Sequence, residues 1–156
     1  MTDNESLAPQ AQTAEEGVVM KLLTLTLERE GQPSETWRLD SAQARKEVKE
    51  TPFTLTEASH YRLKVGFQIR HGIVSGVKYV NAVSRKGIRV TKNQLMLGSF
   101  GPQNEAHEVI FPRHGWEETP SGILSRGTYT AKSSFVDDDG KVQADFEYAF
   151  TIAAAG

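Results

Sequence analysis

Apolar and polar residues alternate strictly along two stretches of this chain. Tyr61, Leu63, Val65, Phe67 and Ile69 are interleaved with Arg62, Lys64, Gly66, Gln68 and Arg70. Near the other end, Ala144, Phe146, Tyr148, Phe150 and Ile152 are interleaved with Asp145, Glu147, Ala149 and Thr151. A period of two sends alternate side chains to opposite faces, so each stretch predicts an antiparallel strand with one face in a core and one in water. Less regular runs predict further strands over 18–27, 35–39, 74–83, 86–91, 94–97, 106–111 and 127–135. Asp139-Gly140, between two strand-like runs, predicts a tight hairpin turn. The segment from Ser41 to Glu50 alone reads as helical, with Ser41 placed to cap it and Pro52 just beyond it. Many short strands separated by turn signals predict an all-β, two-sheet antiparallel sandwich.

The alternation begins only after residue 17. Residues 1–17 contain one large apolar side chain, Leu7, among polar and acidic residues. They cannot bury enough surface to offset the entropy of ordering them, which predicts a disordered acidic tail over 1–17 and one sandwich domain over 18–154. The whole chain is 156 residues, a length suited to a single domain with a hydrophobic core.

Charge is unevenly distributed. Residues 1–17 carry Asp3, Glu5, Glu15 and Glu16 and no base. Residues 58–104 contain no acid but hold Arg62, Lys64, Arg70, Lys78, Arg85, Lys86, Arg89 and Lys92, and residues 105–147 carry nine acids against four bases. Such asymmetry points to polar partners, although solvent-facing strand positions need some charge in any case.

Several chemistries are excluded. Cysteine is absent, which removes disulfides, thiolate metal sites and cysteine nucleophiles, and no signal-peptide pattern opens the chain. The expected location is therefore cytoplasmic. The four histidines show no metal-ligand spacing. Asp137-Asp138-Asp139-Gly140 fails as a calcium loop, because aligning Gly140 with that loop's glycine puts Phe135 and Phe146 at ligand positions. No phosphate-cradling glycine loop or nucleophile elbow is present, and the basic stretch lacks the aromatic platforms of a nucleic-acid binder. Neither catalytic residues, nor a metal, nor a cofactor, nor a nucleic-acid partner is expected.

An ordered series of blocks is more informative than any of these. Leu22-Leu23-Thr24-Leu25-Thr26-Leu27, Tyr61-Arg62-Leu63-Lys64-Val65-Gly66-Phe67, Ile73-Val74-Ser75-Gly76-Val77-Lys78-Tyr79-Val80 and Gly98-Ser99-Phe100-Gly101-Pro102 occur in that order. They are followed by Pro120-Ser121-Gly122-Ile123-Leu124-Ser125-Arg126-Gly127-Thr128-Tyr129 and Phe135-Val136-Asp137-Asp138-Asp139. Over roughly residues 18–152 the series resembles the C-terminal domain of the Rho GDP-dissociation inhibitors. The resemblance implies an immunoglobulin-like sandwich whose sheets splay to admit the prenyl group, usually geranylgeranyl, of a Rho-family small GTPase. It also implies extraction of that GTPase from membranes, with only transient membrane contact, and its retention in soluble form. Carried over position by position, the prenyl-binding residues are Leu25, Phe53, Tyr61, Ile73, Leu124, Ala131, Phe146 and Tyr148. The acidic rim that meets the GTPase's basic tail includes Glu117, Glu118, Asp138 and Asp139. Taken without the resemblance, the apolar residues read as ordinary core and the acids as solvated turns and loops.

The chain departs from the family pattern in three places. Phe146-Glu147-Tyr148 stands where two tryptophans usually flank a glutamate, and Ala131 stands where isoleucine is usual, which removes side-chain volume from the expected pocket. Thr91 replaces an acid and thins the expected rim. The resemblance also implies a long N-terminal arm that clamps the GTPase, whereas about seventeen residues precede the sandwich here, so weakened inhibition of nucleotide release is expected. An alternative expectation is a general prenyl-protein shuttle that recognises only the lipid and the last few residues.

Overall fold

The alternating runs become ten strands in two sheets. The computed structural model describes residues 20–155, so the expected acidic tail over 1–17 lies outside the described residues. The first sheet has the order β2-β1-β4-β7, from β1 (Met20–Arg29), β2 (Glu35–Arg38), β4 (His60–Ile69) and β7 (His107–Phe111). A two-residue strand, β8 (Glu117–Glu118), also pairs with β4. The second sheet has the order β3-β10-β9-β5-β6, from β3 (Phe53–Thr56), β5 (Val74–Arg85), β6 (Ile88–Phe100), β9 (Gly127–Val136) and β10 (Val142–Ala153). The fold is the expected all-β sandwich. Every pairing is antiparallel except that of β3 with β10, which is parallel.

The core follows from the periodicity. Leu63, Val65, Phe67 and Ile69 of β4 are buried, and so are Phe146, Tyr148, Phe150 and Ile152 of β10. Phe67 packs at a tilt against Phe135 with 5.2 Å between ring centres, and Phe135 in turn lies 5.3 Å from Tyr79. Ser41 caps helix α1 (Ala42–Glu50) as its side chain accepts from the Ala44 amide at 3.0 Å. The helix buries Val48 and carries the chain from the edge of the first sheet to β3 at the edge of the second.

Three expectations change. Runs 86–91 and 94–97 are one strand, β6, because Lys92 and Asn93 pair directly with Ala82 and Asn81. An edge strand with solvent on much of both faces need not alternate, so its polar residues resemble a break in sequence. Lys86 and Gly87 are not strand but the two-residue turn of the β5–β6 hairpin, with φ of 52° and 81°, the left-handed values such a turn requires. β3 escaped notice because Phe53-Thr54-Leu55-Thr56 is too short to establish a period, and its place is set by pairing with β10.

These contacts predict different costs for two substitutions. Phe67→Ala should lower unfolding free energy in a urea titration by roughly 3–5 kcal/mol. Ser41→Ala, which removes only the helix cap, should lower it by about 1 kcal/mol.

Candidate functional site

Strand direction gives the sandwich two distinct ends. β4 and β9 begin, and β3, β5 and β10 finish, at what is here termed the proximal end. The β4–β5 link and the β9–β10 turn lie at the distal end. Ten residues of β9 at about 3.3 Å each separate the two ends by roughly 30 Å.

A narrow cleft lies between the sheets towards the proximal end. Phe53, Leu55, Tyr148 and Phe150 line it on one side with Asn81 and Val83, and Tyr61, Leu63, Phe111 and Glu117 close the other. The cavity is about 20 Å³, little more than one water needs. The surrounding rings are closely packed, with Phe53 stacked on Trp37 at 5.4 Å, on Tyr148 at 5.9 Å and on Phe150 at 6.0 Å. A lipid chain can enter only if the sheets part.

The cleft has a polar floor. Tyr79, Asn81, Ser133 and Tyr148 are all buried, inward-facing residues of the second sheet. The Tyr79 hydroxyl lies 2.6 Å from Ser133 Oγ, and Asn81 Nδ2 donates to the Tyr148 hydroxyl at 2.9 Å. Burial pushes the pKa of both tyrosines up, so they stay neutral and able to donate. Burial also raises the pKa of Tyr61, with the nearby Glu117 charge adding to the shift. Sequence reasoning missed this floor, although its signal was present. Asn81 falls on the inward register set by Val77, Tyr79 and Val83, and Ser133 on that of Tyr129, Ala131 and Phe135.

The expected lipid residues are distributed unevenly. Phe53, Tyr61 and Tyr148 meet at the cleft. Leu25, Ala131 and Phe146 are buried in the core without lining it, and Ala131 sits opposite Tyr148 in the ladder. Ile73 and Leu124 are 67% and 87% exposed, Ile73 at the distal end and Leu124 at the proximal end. The expected acids also divide. Glu117 and Glu118 pair with Tyr61 and His60 at the proximal end, whereas Asp138 and Asp139 occupy the distal β9–β10 turn. That turn is the expected hairpin, with Gly140 at φ 82°. The Asp137 carboxylate is engaged within the turn, accepting from the Asp139 and Lys141 amides and from Gln143 Nε2.

The proximal end is held by a carboxylate that the sequence did not single out. Glu57 is 8% exposed and accepts from the Gly122 amide at 2.8 Å, the Arg126 guanidinium at 2.9 Å and the Ala155 amide at 3.0 Å. The Gly122 amide is the largest cause of its lowered pKa, followed by the Ala155 amide and Arg126, and together they hold it at about 2. Beside it, Arg85 donates to the Leu124 and Arg126 carbonyls and to the Tyr129 hydroxyl. The loop crossing from β8 to β9 over the mouth of the cleft is thus fixed from both sides.

Fold and site define a sandwich with a narrow aromatic cleft between its sheets and no constellation of catalytic groups among the described residues. The family described as "RHO protein GDP dissociation inhibitor" matches residues 4–155. The "Putative rho GDP-dissociation inhibitor 1" of Dictyostelium discoideum is 51% identical over 128 residues, which is 82% of this chain and 65% of that protein. "Rho GDP-dissociation inhibitor 1" of Bos taurus is 38% identical over 135 residues, 86% of this chain and 63% of that protein. The chain belongs to the Rho GDP-dissociation inhibitor family, whose members are regulators rather than enzymes, and it spans slightly less than two thirds of the length of these relatives. No helix among the described residues is long and apolar enough to cross a membrane.

Two measurements check the site's construction. Ser133→Ala removes the partner of the buried Tyr79 hydroxyl and should cost roughly 1–3 kcal/mol in urea unfolding. Glu57 has a folded pKa of about 2 against an ordinary 4.5. Its contribution to stability is therefore complete above pH 4.5 and is lost as pH falls towards 2. Glu57→Gln should lower the melting temperature at neutral pH and flatten its dependence on pH across that window.

Proposed function

We propose that this chain binds the prenyl group of a Rho-family small GTPase between its two sheets, extracts the GTPase from membranes and keeps it soluble. The observation that carries the proposal is the aromatic cleft at Phe53, Tyr61 and Tyr148, bordered at its mouth by the carboxylate of Glu117, in a chain of this family. Phe53, Tyr61 and Tyr148 contact the chain first. Leu25, Ala131 and Phe146 are reached as the sheets part, and Leu124 and Ile73 cover the lipid where it approaches either end.

The energetics place the selectivity outside the lipid. Sheltering a chain of about twenty carbons from water is worth on the order of 10–15 kcal/mol gross. A bilayer already shelters it, so transfer from membrane to cleft gains little hydrophobic free energy. The balance rests on contacts with the protein part of the GTPase, where acids compete with anionic lipid for a basic tail. Glu117 and Glu118 stand roughly 30 Å from Asp138 and Asp139, too far for one short tail to meet both pairs at once. The proposal therefore assigns the tail to Glu117 and Glu118, leaving Asp138 and Asp139 to meet another part of the GTPase.

The test is a fluorescence titration with matched geranylgeranylated and unmodified basic C-terminal peptides at low and high salt. Lipid-dependent binding that weakens with salt is expected, and equal or absent binding of both peptides would overturn the proposal. A prenylated peptide that binds as tightly as the whole prenylated GTPase would instead identify a general shuttle. Glu117→Gln with Glu118→Gln should weaken peptide binding by about fivefold and reduce its salt dependence, while Asp138→Asn with Asp139→Asn should change neither.

A further inference from the structure

Beside the mouth of the cleft, the proximal end carries a group of apolar side chains that the fold leaves in water. Ile123 and Leu124, consecutive in a single turn of 3-10 helix (Ile123–Ser125), are 76% and 87% exposed, and Ile88 at the start of β6 is 72% exposed. Isolated apolar residues on a surface need no explanation, but these three are grouped around one side chain. Arg85 is the ladder partner of Ile88, which puts both on the same face of the sheet, and its guanidinium binds the carbonyl of Leu124. The 3-10 turn cannot fold inward to bury its apolar pair. Glu57 holds it at Gly122 and Arg126, and Arg85 holds it at Leu124 and Arg126.

Positive charge accompanies the apolar group. Arg85 is bonded to carbonyls and a hydroxyl, and neither it, Lys86 nor Arg89 has a carboxylate within ion-pair distance among the described residues. Lys86 occupies the left-handed turn position with φ of 52°, a conformation that disfavours lysine relative to glycine or asparagine, so the turn itself gives no reason for lysine there. On the first sheet at this end, Glu35 is paired with Arg29 and Glu30 lies 3.1 Å from His60 Nδ1. Arg126 is paired with Glu57, Glu147 borders the groove beside Arg89 on the outer face, and Glu117 and Glu118 lie across the cleft on the first sheet.

We propose that the tip of the proximal end, comprising Ile88, Ile123 and Leu124 with Arg85 and Lys86, and with Arg89 on the other face of the same β5–β6 hairpin, docks on an anionic lipid bilayer. The apolar side chains enter the boundary between headgroups and acyl chains, and the basic residues meet anionic headgroups. The contact is peripheral and reversible, and it faces the cleft mouth towards the bilayer while leaving Glu117 and Glu118 on the opposite lip.

The test uses the whole chain with vesicles containing no prenyl group, so its outcome is independent of the prenyl-cleft proposal. Co-sedimentation compares phosphatidylcholine vesicles with vesicles in which roughly one third of the lipid is phosphatidylserine. Binding to the anionic vesicles that weakens with salt is expected. Lys86→Ala with Arg89→Ala should lower the partition coefficient roughly thirtyfold, and Ile123→Asp with Ile88→Asp at least about tenfold, with melting temperatures unchanged in both variants. Absence of binding at low salt, equal binding to both vesicle types, or parental binding by either well-folded variant would overturn the proposal.

Discussion

Among the described residues no strand of one sheet pairs with a strand of the other, so the sandwich is held together chiefly by side chains packed between its sheets. This constraint governs both stability and the candidate site. Ladders pair the backbone within each sheet, and aromatic contacts from Phe67 to Phe135, and from Trp37 to Phe53, bridge the two sheets among a larger set of aliphatic side chains. Parting the sheets breaks packing contacts and the bond from the Arg29 guanidinium of β1 to the Thr54 carbonyl of β3 at 2.7 Å, but no ladder. The same holds for the buried polar floor, because Tyr79, Asn81, Ser133 and Tyr148 all belong to the second sheet and satisfy one another there. An opening cleft therefore does not strand a buried donor or acceptor, the loss that would make separation most costly. Closure to about 20 Å³ and the capacity to open are compatible for this reason.

The two ends of the sandwich are built differently. At the proximal end, Glu57 and Arg85 tie β3, the β8–β9 crossing and the C-terminal segment into one unit through bonds to main-chain groups. At the distal end, the Asp137 carboxylate shapes a hairpin turn, and the Asp138 amide donates to the Ser75 carbonyl. Gly76 lies so close to that turn that a Cβ on it would come within 2.7 Å of Asp138 Cβ, which restricts the position to glycine on space as well as on φ. The ion pairs along β1 and β4 serve another purpose. Glu28 takes up Arg62 and Lys64, so part of the acid-free stretch over 58–104 is a cross-strand network on the outer face rather than a binding surface. Of the bases in that stretch without an ion pair among the described residues, Lys86 and Arg89 stand at the proximal end near Ile88, Ile123 and Leu124.

Regular periodicity made the elements legible where one face was buried and the other wet. β4 and β10 follow that pattern almost residue for residue, and Ser41 marks the start of α1 through a local hydrogen bond that needs no tertiary context. Legibility failed where burial on one face was incomplete or the run was short. β6 is an edge strand with polar residues on both faces, β3 is four residues long, and β8 is two glutamates stabilised by pairing with His60 and Tyr61. The resemblance named Phe53, Tyr61 and Tyr148, which the structure gathers at one cleft. It did not reveal that Asn81 and Ser133 make a polar floor, nor that Glu57 anchors the mouth.

The sequence by itself determined the sandwich class, the position of most strands, the helix cap, the hairpin turn and the family, because these depend on local spacing or on an ordered set of blocks. Tertiary structure decided the spatial relations among residues distant in the chain. Only strand direction shows that Glu117 and Glu118 stand at one end with Leu124 while Asp138 and Asp139 stand at the other with Ile73. Only the ladder register puts Ile88 on the face of Arg85, and only packing closes the cleft between the sheets. The physical reason is that a period of two fixes which face of a strand a side chain occupies, but carries no information about the neighbouring strand or the end at which a loop emerges.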